Sequence, residues 1–141
     1  AVPAGLERDV QELYDYVNEL INTAESRGNK CINNDACEKI TTLLYSYASK
    51  IEEKALNLED SVDILSKEHE YYDKIYNLAS SIIDTVDSIR SYTCVSLYSP
   101  CVRWRDLLPH LRRIQGDVES MMEYLKKMPG WQWVLRRLLK I

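Results

Sequence analysis

Four cysteines form two closely spaced pairs in this sequence. Five residues separate Cys31 from Cys37, and six separate Cys94 from Cys101. An even number of cysteines in a small helical chain is typical of disulfide bonds in a secreted protein. We therefore predict two disulfides and secretion, and the start of the given sequence at Ala1 looks like an end left by removal of a signal peptide.

The two histidines do not complete a catalytic or metal-binding pattern. Nucleophilic catalysis needs a thiol or hydroxyl beside a histidine, and zinc needs clustered Cys and His ligands. His69 falls on an apolar helical stripe and His110 follows a proline, so we expect structural roles for both. We predict no enzymatic activity, no metal and no cofactor.

Basic and aromatic residues gather in the last third of the chain. Residues 1–98 hold 9 Lys or Arg and 18 Asp or Glu, whereas residues 99–141 hold 9 and 4. A basic segment on an acidic body indicates internal pairing or a one-sided interaction surface. The candidate surface residues are Arg112, Arg113, Trp133, Arg136, Arg137 and Lys140.

The partner expected at this surface is a macromolecule, and a protein is favoured. Nucleic acid is not expected, because the net charge is −4. Contact of a C-terminal helix with a membrane surface is the alternative.

The apolar pattern of the sequence predicts the secondary structure that carries these residues. Apolar residues recur at alternating spacings of three and four, which predicts amphipathic helices. Only 4 Gly and 4 Pro are present, and a β-sandwich or barrel would need more turn residues. The sequence predicts an all-α bundle of one domain, residues 1–141.

Helix ends are marked by a few local signals. The first helix is predicted to stop at Gly28, and Asn33–Asp35 offers N-caps for the second. Capping residues over 57–61 predict a bend or short break before a long third helix, with one uninterrupted helix as the alternative.

The fourth helix has its own signals. We expect it to begin at Ser99-Pro100 and to be kinked or split at Pro109. A short amphipathic helix is predicted over residues 131–141.

An internal repeat relates the two halves of the chain. Residues 21–26 match residues 83–88 at an offset of 62, and each cysteine pair then falls in register after single-residue insertions. We interpret this as a duplicated helix–turn–helix unit, with unit 1 at about 6–56 and unit 2 at about 61–128. One local disulfide per unit is favoured, Cys31–Cys37 and Cys94–Cys101, and cross-unit pairing is the alternative.

The second unit reads Cys94-Val-Ser-Leu-Tyr98-Ser-Pro-Cys101. Paired cysteine–tyrosine–cysteine motifs in a duplicated helical protein resemble the bicycle proteins of aphids, and the resemblance covers residues 9–56 and 71–120. The first unit has no tyrosine between its cysteines. The resemblance implies a secreted salivary effector that acts on a macromolecule of the host plant. Alternatives are a helical carrier of a small apolar ligand and a cytokine-like four-helix ligand.

Overall fold

The structure, a computed structural model, describes residues 4–32, 37–65, 69–92 and 101–128, with backbone alone for residues 4 and 37–42. The described part of the chain holds four α-helices and one 3₁₀ turn: α1 (Ala4–Arg27), α2 (Cys37–Leu65), α3 (Glu70–Arg90), the 3₁₀ turn (Trp104–Leu107) and α4 (Leu108–Lys127). The prediction of an all-α bundle is confirmed.

Each helix packs against two neighbours, so the four helices close into a ring in which α1 meets α2 and α4, and α3 meets the same two helices. In each pair, moving forward along one helix means moving backward along its neighbour. The contacts are Lys50–Tyr16 and Lys54–Glu12, Glu52–Arg90 and Glu59–Ser80, Tyr71–Tyr124 and Tyr92–His110, and Glu25–Arg112 and Asn18–Gln115. All neighbours are therefore antiparallel. This up-down-up-down order differs from the up-up-down-down order of cytokine bundles.

The core lies where the apolar stripes of the four helices meet. Residues spaced three, four or seven apart on each helix have no exposed surface: Leu13, Val17, Leu20, Leu44, Ile51, Leu58, Ile75, Ile82, Ile89, Leu111, Ile114 and Val118. Burying a large aliphatic side chain stabilises a fold by about 1.5–3 kcal/mol. This stripe therefore supplies the main stabilising energy of the bundle.

The predicted end of α1 is confirmed. The helix ends at Arg27, and Gly28 has a φ of +45°. Its amide donates to the carbonyl of Ala24 at 2.8 Å. A glycine tolerates this left-handed backbone without a Cβ clash and so closes the helix.

The predicted break at 57–61 is wrong. Helix α2 continues to Leu65, because Leu58 and Val62 have no exposed surface and hold this segment in the core. Helix α3 begins after His69, whose ring Nδ1 accepts a hydrogen bond from the amide of Tyr71 at 3.1 Å. His69 thus has a structural role, as an N-cap.

The start of the fourth helix is also corrected. Ser99 and Pro100 lie outside the described residues, but the chain at Cys101 and Val102 is not helical, and Arg103 is extended with φ −92° and ψ 151°. A 3₁₀ turn follows, and Pro109 occupies the first turn of α4. The predicted kink or split of a helix at Pro109 is therefore wrong, because Pro109 lies where α4 begins, a position that tolerates proline.

Other predicted elements fall outside the described part of the chain. They are the caps at Asn33–Asp35 and the C-terminal helix over 131–141. No described helix has the length and hydropathy needed to cross a membrane.

Candidate interaction groove

A polar groove of about 350 Å³ opens at the surface between α3 and α4. We call it the α3–α4 groove and define it by its lining residues. Helix α3 supplies Asn77, Ser80, Ser81, Asp84, Thr85 and Ser88, and helix α4 supplies His110 and Arg113. The α3 residues share one helix face, because their spacings of three and four bring them into line.

The α3 side of the groove is rich in hydrogen-bond acceptors. Thr85 and Ser88 donate their hydroxyl protons to backbone carbonyls one turn earlier, at 2.9 and 3.4 Å. Ser80 donates to Glu59 at 2.6 Å. A hydroxyl has one proton and two lone pairs, so these oxygens keep acceptor capacity. The exposed carboxylate of Asp84 adds two more acceptor atoms.

The α4 side of the groove presents the imidazole ring of His110 and the guanidinium donors of Arg113. His110 Nε2 lies 3.1 Å from the hydroxyl of Tyr92, which joins the end of the groove to the turn that follows α3. Arg113 is exposed and, within the described residues, has no carboxylate at ion-pair distance. Its neighbour Arg112 instead pairs with Glu25 of α1 at 3.1 Å. Adjacent arginines therefore have different surroundings: Arg112 forms a surface ion pair with Glu25, and Arg113 lines the groove.

Asp117 lies one turn beyond Arg113 on α4 and is partly buried. Burial raises the pKa of its carboxyl group, while a hydrogen bond from the Ser81 side chain and the charge of Arg113 lower it less strongly. Its Oδ2 is buried and makes no hydrogen bond within the described residues. Negative charge is therefore disfavoured at this point beside the groove.

A covalent bond links the two described cysteine side chains. Cys31 and Cys101 form a disulfide with a Cα–Cα distance of 5.3 Å across 70 residues of sequence. The favoured local pairing of Cys31 with Cys37 and of Cys94 with Cys101 is therefore wrong. The up-down-up-down order places the α1–α2 connection and the α3–α4 connection at the same end of the bundle, where a cysteine of one unit can reach a cysteine of the other.

Backbone hydrogen bonds run beside this disulfide. The segments 28–32 and 101–105 lie antiparallel, and Cys31 and Arg103 form a β-bridge. Three backbone hydrogen bonds join the two segments. The amide of Ile32 donates to the carbonyl of Val102 at 2.6 Å, that of Trp104 to Lys30 at 3.0 Å and that of Arg105 to Gly28 at 2.9 Å. We call these two segments with their disulfide the clasp.

The structure describes only some of the remaining predicted site residues. Arg112 and Arg113 are exposed on α4, as an interaction surface requires. The side chain of Cys37 and all of the following lie outside the described residues: Cys94, Tyr98, Trp133, Arg136, Arg137 and Lys140.

A smaller cleft of about 220 Å³ lies at the opposite end of α4, where it meets the start of α1. Its lining is mixed: Glu7, Val10, Gln11, Met122, Leu125 and Lys126. Burial raises the pKa of Glu7. Its Oε1 has no hydrogen-bond partner among the described residues.

Sequence reasoning missed the α3 side of the groove. The signal was present, because Asn77, Ser81, Asp84 and Ser88 form a polar stripe at helical spacing beside the apolar stripe. Such a stripe is ordinarily a solvated face. Only the neighbouring helix α4 turns it into one wall of a groove.

The described residues define an up-down-up-down four-helix bundle with a disulfide clasp and a polar groove. They contain no group of three or more His, Cys, Asp or Glu arranged to hold a metal ion. No protein-family model, curated protein or solved structure matches the chain.

Proposed function

We propose that this protein is a secreted interaction protein without enzymatic activity. It binds a macromolecule of a host, and a host-plant protein is the expected partner, as in the aphid bicycle effectors that its second cysteine motif resembles. The observation that carries the proposal is the α3–α4 groove, in which Arg113 lacks an ion-pair partner among the described residues.

The clasp supports this function because a binding surface works best when it is already rigid. Ordering a side chain or loop on binding costs about 0.5–1.5 kcal/mol for each immobilised side chain. The disulfide between Cys31 and Cys101 and the buried Trp104 hold the start of α4 in place. His110 and Arg113 are therefore presented from a fixed helix.

Secretion is supported by the same disulfide. Such bonds persist in oxidising compartments and are rare in the reducing cytosol. The clasp disulfide joins residues 70 positions apart, and in the loop-entropy model a bond that closes a long loop stabilises the fold more than one that closes a short loop.

Binding to a purified partner tests the function. The full chain is immobilised, proteins retained from host-plant tissue are identified, and each candidate is purified and titrated by calorimetry. We expect one partner to bind with defined stoichiometry, and Arg113→Gln to weaken binding at least about tenfold, as loss of a charged hydrogen bond does. Arg112→Gln is the matched control, because Arg112 pairs with Glu25.

Two results would contradict the proposal. One is that no purified candidate binds the intact protein, and the other is that binding survives reversal of every exposed charge on α3 and α4. Turnover of a substrate by the purified chain would overturn the non-enzymatic part.

A carrier of a small apolar ligand is the second candidate. The cleft lined by Val10, Met122 and Leu125 favours it, although its 220 Å³ is below the roughly 300–1,000 Å³ of drug-sized sites. Displacement of the fluorescent probe N-phenyl-1-naphthylamine from this cleft tests it. Retention of probe binding after Met122→Gln would place the probe elsewhere and reject this cleft as the carrier site.

A further inference from the structure

Three arginines near the clasp are engaged within the protein. The guanidinium of Arg27 lies over the ring of Trp104, 5.2 Å from its centroid. Arg90 and Arg112 each form an ion pair with a glutamate of a neighbouring helix. These three arginines therefore contribute to contacts inside the bundle.

Three other cations belong to the clasp itself. Lys30, Arg103 and Arg105 are exposed, and within the described residues none of them has a carboxylate at ion-pair distance. The neighbouring Asp106 uses its Oδ2 to accept a hydrogen bond from the backbone amide of Arg103 at 2.9 Å, and so caps the 3₁₀ turn. We call Lys30, Arg103 and Arg105 the clasp cations. Their charges are open to solvent and to a partner.

Backbone pairing holds the clasp cations close together. Trp104, which lies between Arg103 and Arg105, donates its amide to the carbonyl of Lys30 at 3.0 Å. Residues that face each other across an antiparallel pair are about 4.5–5.5 Å apart at Cα, and residues two apart on one strand are at most about 7 Å apart. The three side chains therefore start within about 7 Å of one another. This is less than the Debye length of about 8 Å at physiological ionic strength, so their fields add.

The clasp also fixes the points from which these side chains start. The disulfide between Cys31 and Cys101 and the hydrogen bonds between segments 28–32 and 101–105 hold the backbone on both sides. Binding to a rigid backbone costs less entropy than binding to a loop that must first be ordered. Only the cationic side chains themselves are ordered when an anion binds here.

The rest of the bundle has the opposite charge. Helices α1, α2 and α3 hold 16 Asp or Glu and 7 Lys or Arg. A long and uniformly charged chain such as nucleic acid would continue past the clasp over these helices and be repelled by them. A short acidic segment covers the clasp cations without meeting the acidic helices.

Carboxylates are the anions that an ordinary protein segment offers to such a surface. A guanidinium binds a carboxylate through two parallel N–H bonds, and an ammonium group binds it as a compact charge. In an extended segment every second side chain points to the same side, at intervals of about 7 Å. Acidic residues at alternate positions therefore match the spacing of the clasp cations.

We propose that the clasp cations form a docking surface for a short acidic segment of the partner protein, with carboxylates at alternate positions of an extended stretch. This proposal rests on the proposed interaction function and names the chemistry of the part of the partner that binds. Arg105 precedes His110 by five residues, so the docking surface adjoins the His110 end of the α3–α4 groove.

The test uses the full, oxidised chain labelled with ¹⁵N and the capped peptide Ac-Gly-Glu-Gly-Glu-Gly-Glu-Gly-NH₂, followed by amide NMR shifts. We expect saturable shifts centred on segments 28–32 and 101–106. The same peptide with Gln in place of each Glu is the matched neutral control and should not saturate. Raising the salt concentration from about 50 to about 500 mM should weaken binding at least about fivefold, because salt shortens the Debye length.

Variants separate local docking from general charge attraction. Arg103→Gln and Arg105→Gln should each weaken binding of the acidic peptide about threefold, the scale of one exposed charge pair. Their combination with Lys30→Gln should weaken it at least about tenfold. Lys127→Gln removes one exposed cation at the opposite end of α4 and should leave binding unchanged within about 1.5-fold. Amide spectra of each variant establish that the fold is intact.

Three outcomes would overturn the docking surface: no saturable shift up to about 20 mM acidic peptide, equal binding of the acidic and neutral peptides, or equal loss with Lys127→Gln and Arg103→Gln. Tighter binding of a short single-stranded DNA or of phosphatidylserine vesicles, lost in the same variants, would assign the clasp cations to another anion and reject docking of a protein segment.

The docking surface and the proposed function fail separately. If a purified partner binds the wild type and the triple variant equally, the interaction function stands and the docking surface is rejected. If the acidic peptide binds at the clasp but no purified host protein binds the intact chain, the docking surface stands and the proposed function is rejected.

Discussion

The first half of helix α4 meets α1 along one flank and α3 along the other, and these two contacts differ at the surface. On the α1 flank, long side chains bridge the helices: Arg112 pairs with Glu25, and Gln115 donates to Asn18 at 2.8 Å. On the α3 flank, short hydroxyl side chains lie opposite Arg113, and the space between them is the α3–α4 groove. Both flanks share the same apolar core, so the length of the border side chains decides whether a helix contact is covered or open.

Removal of the clasp disulfide should cause the largest loss of stability, and this loss affects both flanks of α4. Cys31→Ser combined with Cys101→Ser removes a bond that closes a loop of 70 residues, and loop entropy gives a loss of about 4 kcal/mol in unfolding free energy. Urea denaturation measures it. Non-reducing peptide mapping should find Cys31 joined to Cys101, and a Cys31–Cys37 link would contradict the structure.

Peptide mapping also tests the other two cysteines. The sequence predicts that all four are oxidised, and with Cys31 joined to Cys101 the remaining pair is Cys37–Cys94. The side chain of Cys37 and all of Cys94 lie outside the described residues, so this pairing stays a prediction. Alkylation of either cysteine without prior reduction would reject it.

A cavity in the core shared by both flanks should cause the next largest loss of stability. Ile114 has no exposed surface, and Ile114→Ala should lower the unfolding free energy by about 3 kcal/mol through lost burial and a cavity. Glu119→Ala on the exposed face is the control and should change stability by less than about 0.5 kcal/mol. If the two variants were equally stable, α4 would not be packed as described.

Gln115 tests the covered flank. Gln115→Ala removes its hydrogen bond to Asn18 and should cost about 1 kcal/mol, the usual net value of such a bond. A double-mutant cycle with Asn18→Ala isolates the pair. A coupling energy near zero would mean that this bond does not help to close the α1 flank.

Asp117 tests the open flank through pH. Burial raises its pKa above the value of the unfolded chain, so the stability associated with its protonated form is present below pH 3.8 and is lost as pH rises through the folded pKa. Asp117→Asn should therefore stabilise the protein at pH 7, by less than about 1 kcal/mol because the group is partly solvated. The gain should disappear near pH 3.

Thermal unfolding of wild type and Asp117→Asn across this pH range checks the prediction. Glu119→Gln is the control for general charge effects, since Glu119 is exposed on the same helix. Destabilisation at pH 7 would show that the Ser81 hydrogen bond outweighs burial.

The adjacent arginines should give the smallest stability difference. Arg112→Gln breaks an exposed ion pair worth about 0.5 kcal/mol or less, and added salt should shrink the loss. Arg113→Gln should leave stability unchanged. A larger loss for Arg113 would mean that it serves the fold rather than the groove.

Local signals predicted some parts of this fold well and others poorly. The stop at Gly28 was predictable because a positive φ is a property of one residue. The break at 57–61 was not, because the burial of Leu58 outweighed the capping preference of its polar neighbours. The true start of α3 depends on His69, which is an uncommon N-cap and gave no usable signal.

The candidate site divides in the same way. Arg112 and Arg113 were both selected from sequence, since a cluster of charge is visible there. Their different roles were not predictable from sequence. They depend on the neighbouring helices, because Arg112 pairs with Glu25 of α1, whereas Arg113 lines a groove with Ser88 of α3. The disulfide pairing was likewise set by which turns share an end of the bundle.

Amino-acid order alone was enough to predict helices, an apolar core stripe and disulfide bonding, because periodicity and residue chemistry act within a few residues along the chain. Packing of the helices was needed to pair Cys31 with Cys101, to keep α2 intact and to convert the polar stripe of α3 into a groove. Those features depend on contacts between residues far apart in sequence, and such contacts exist only after the chain has folded.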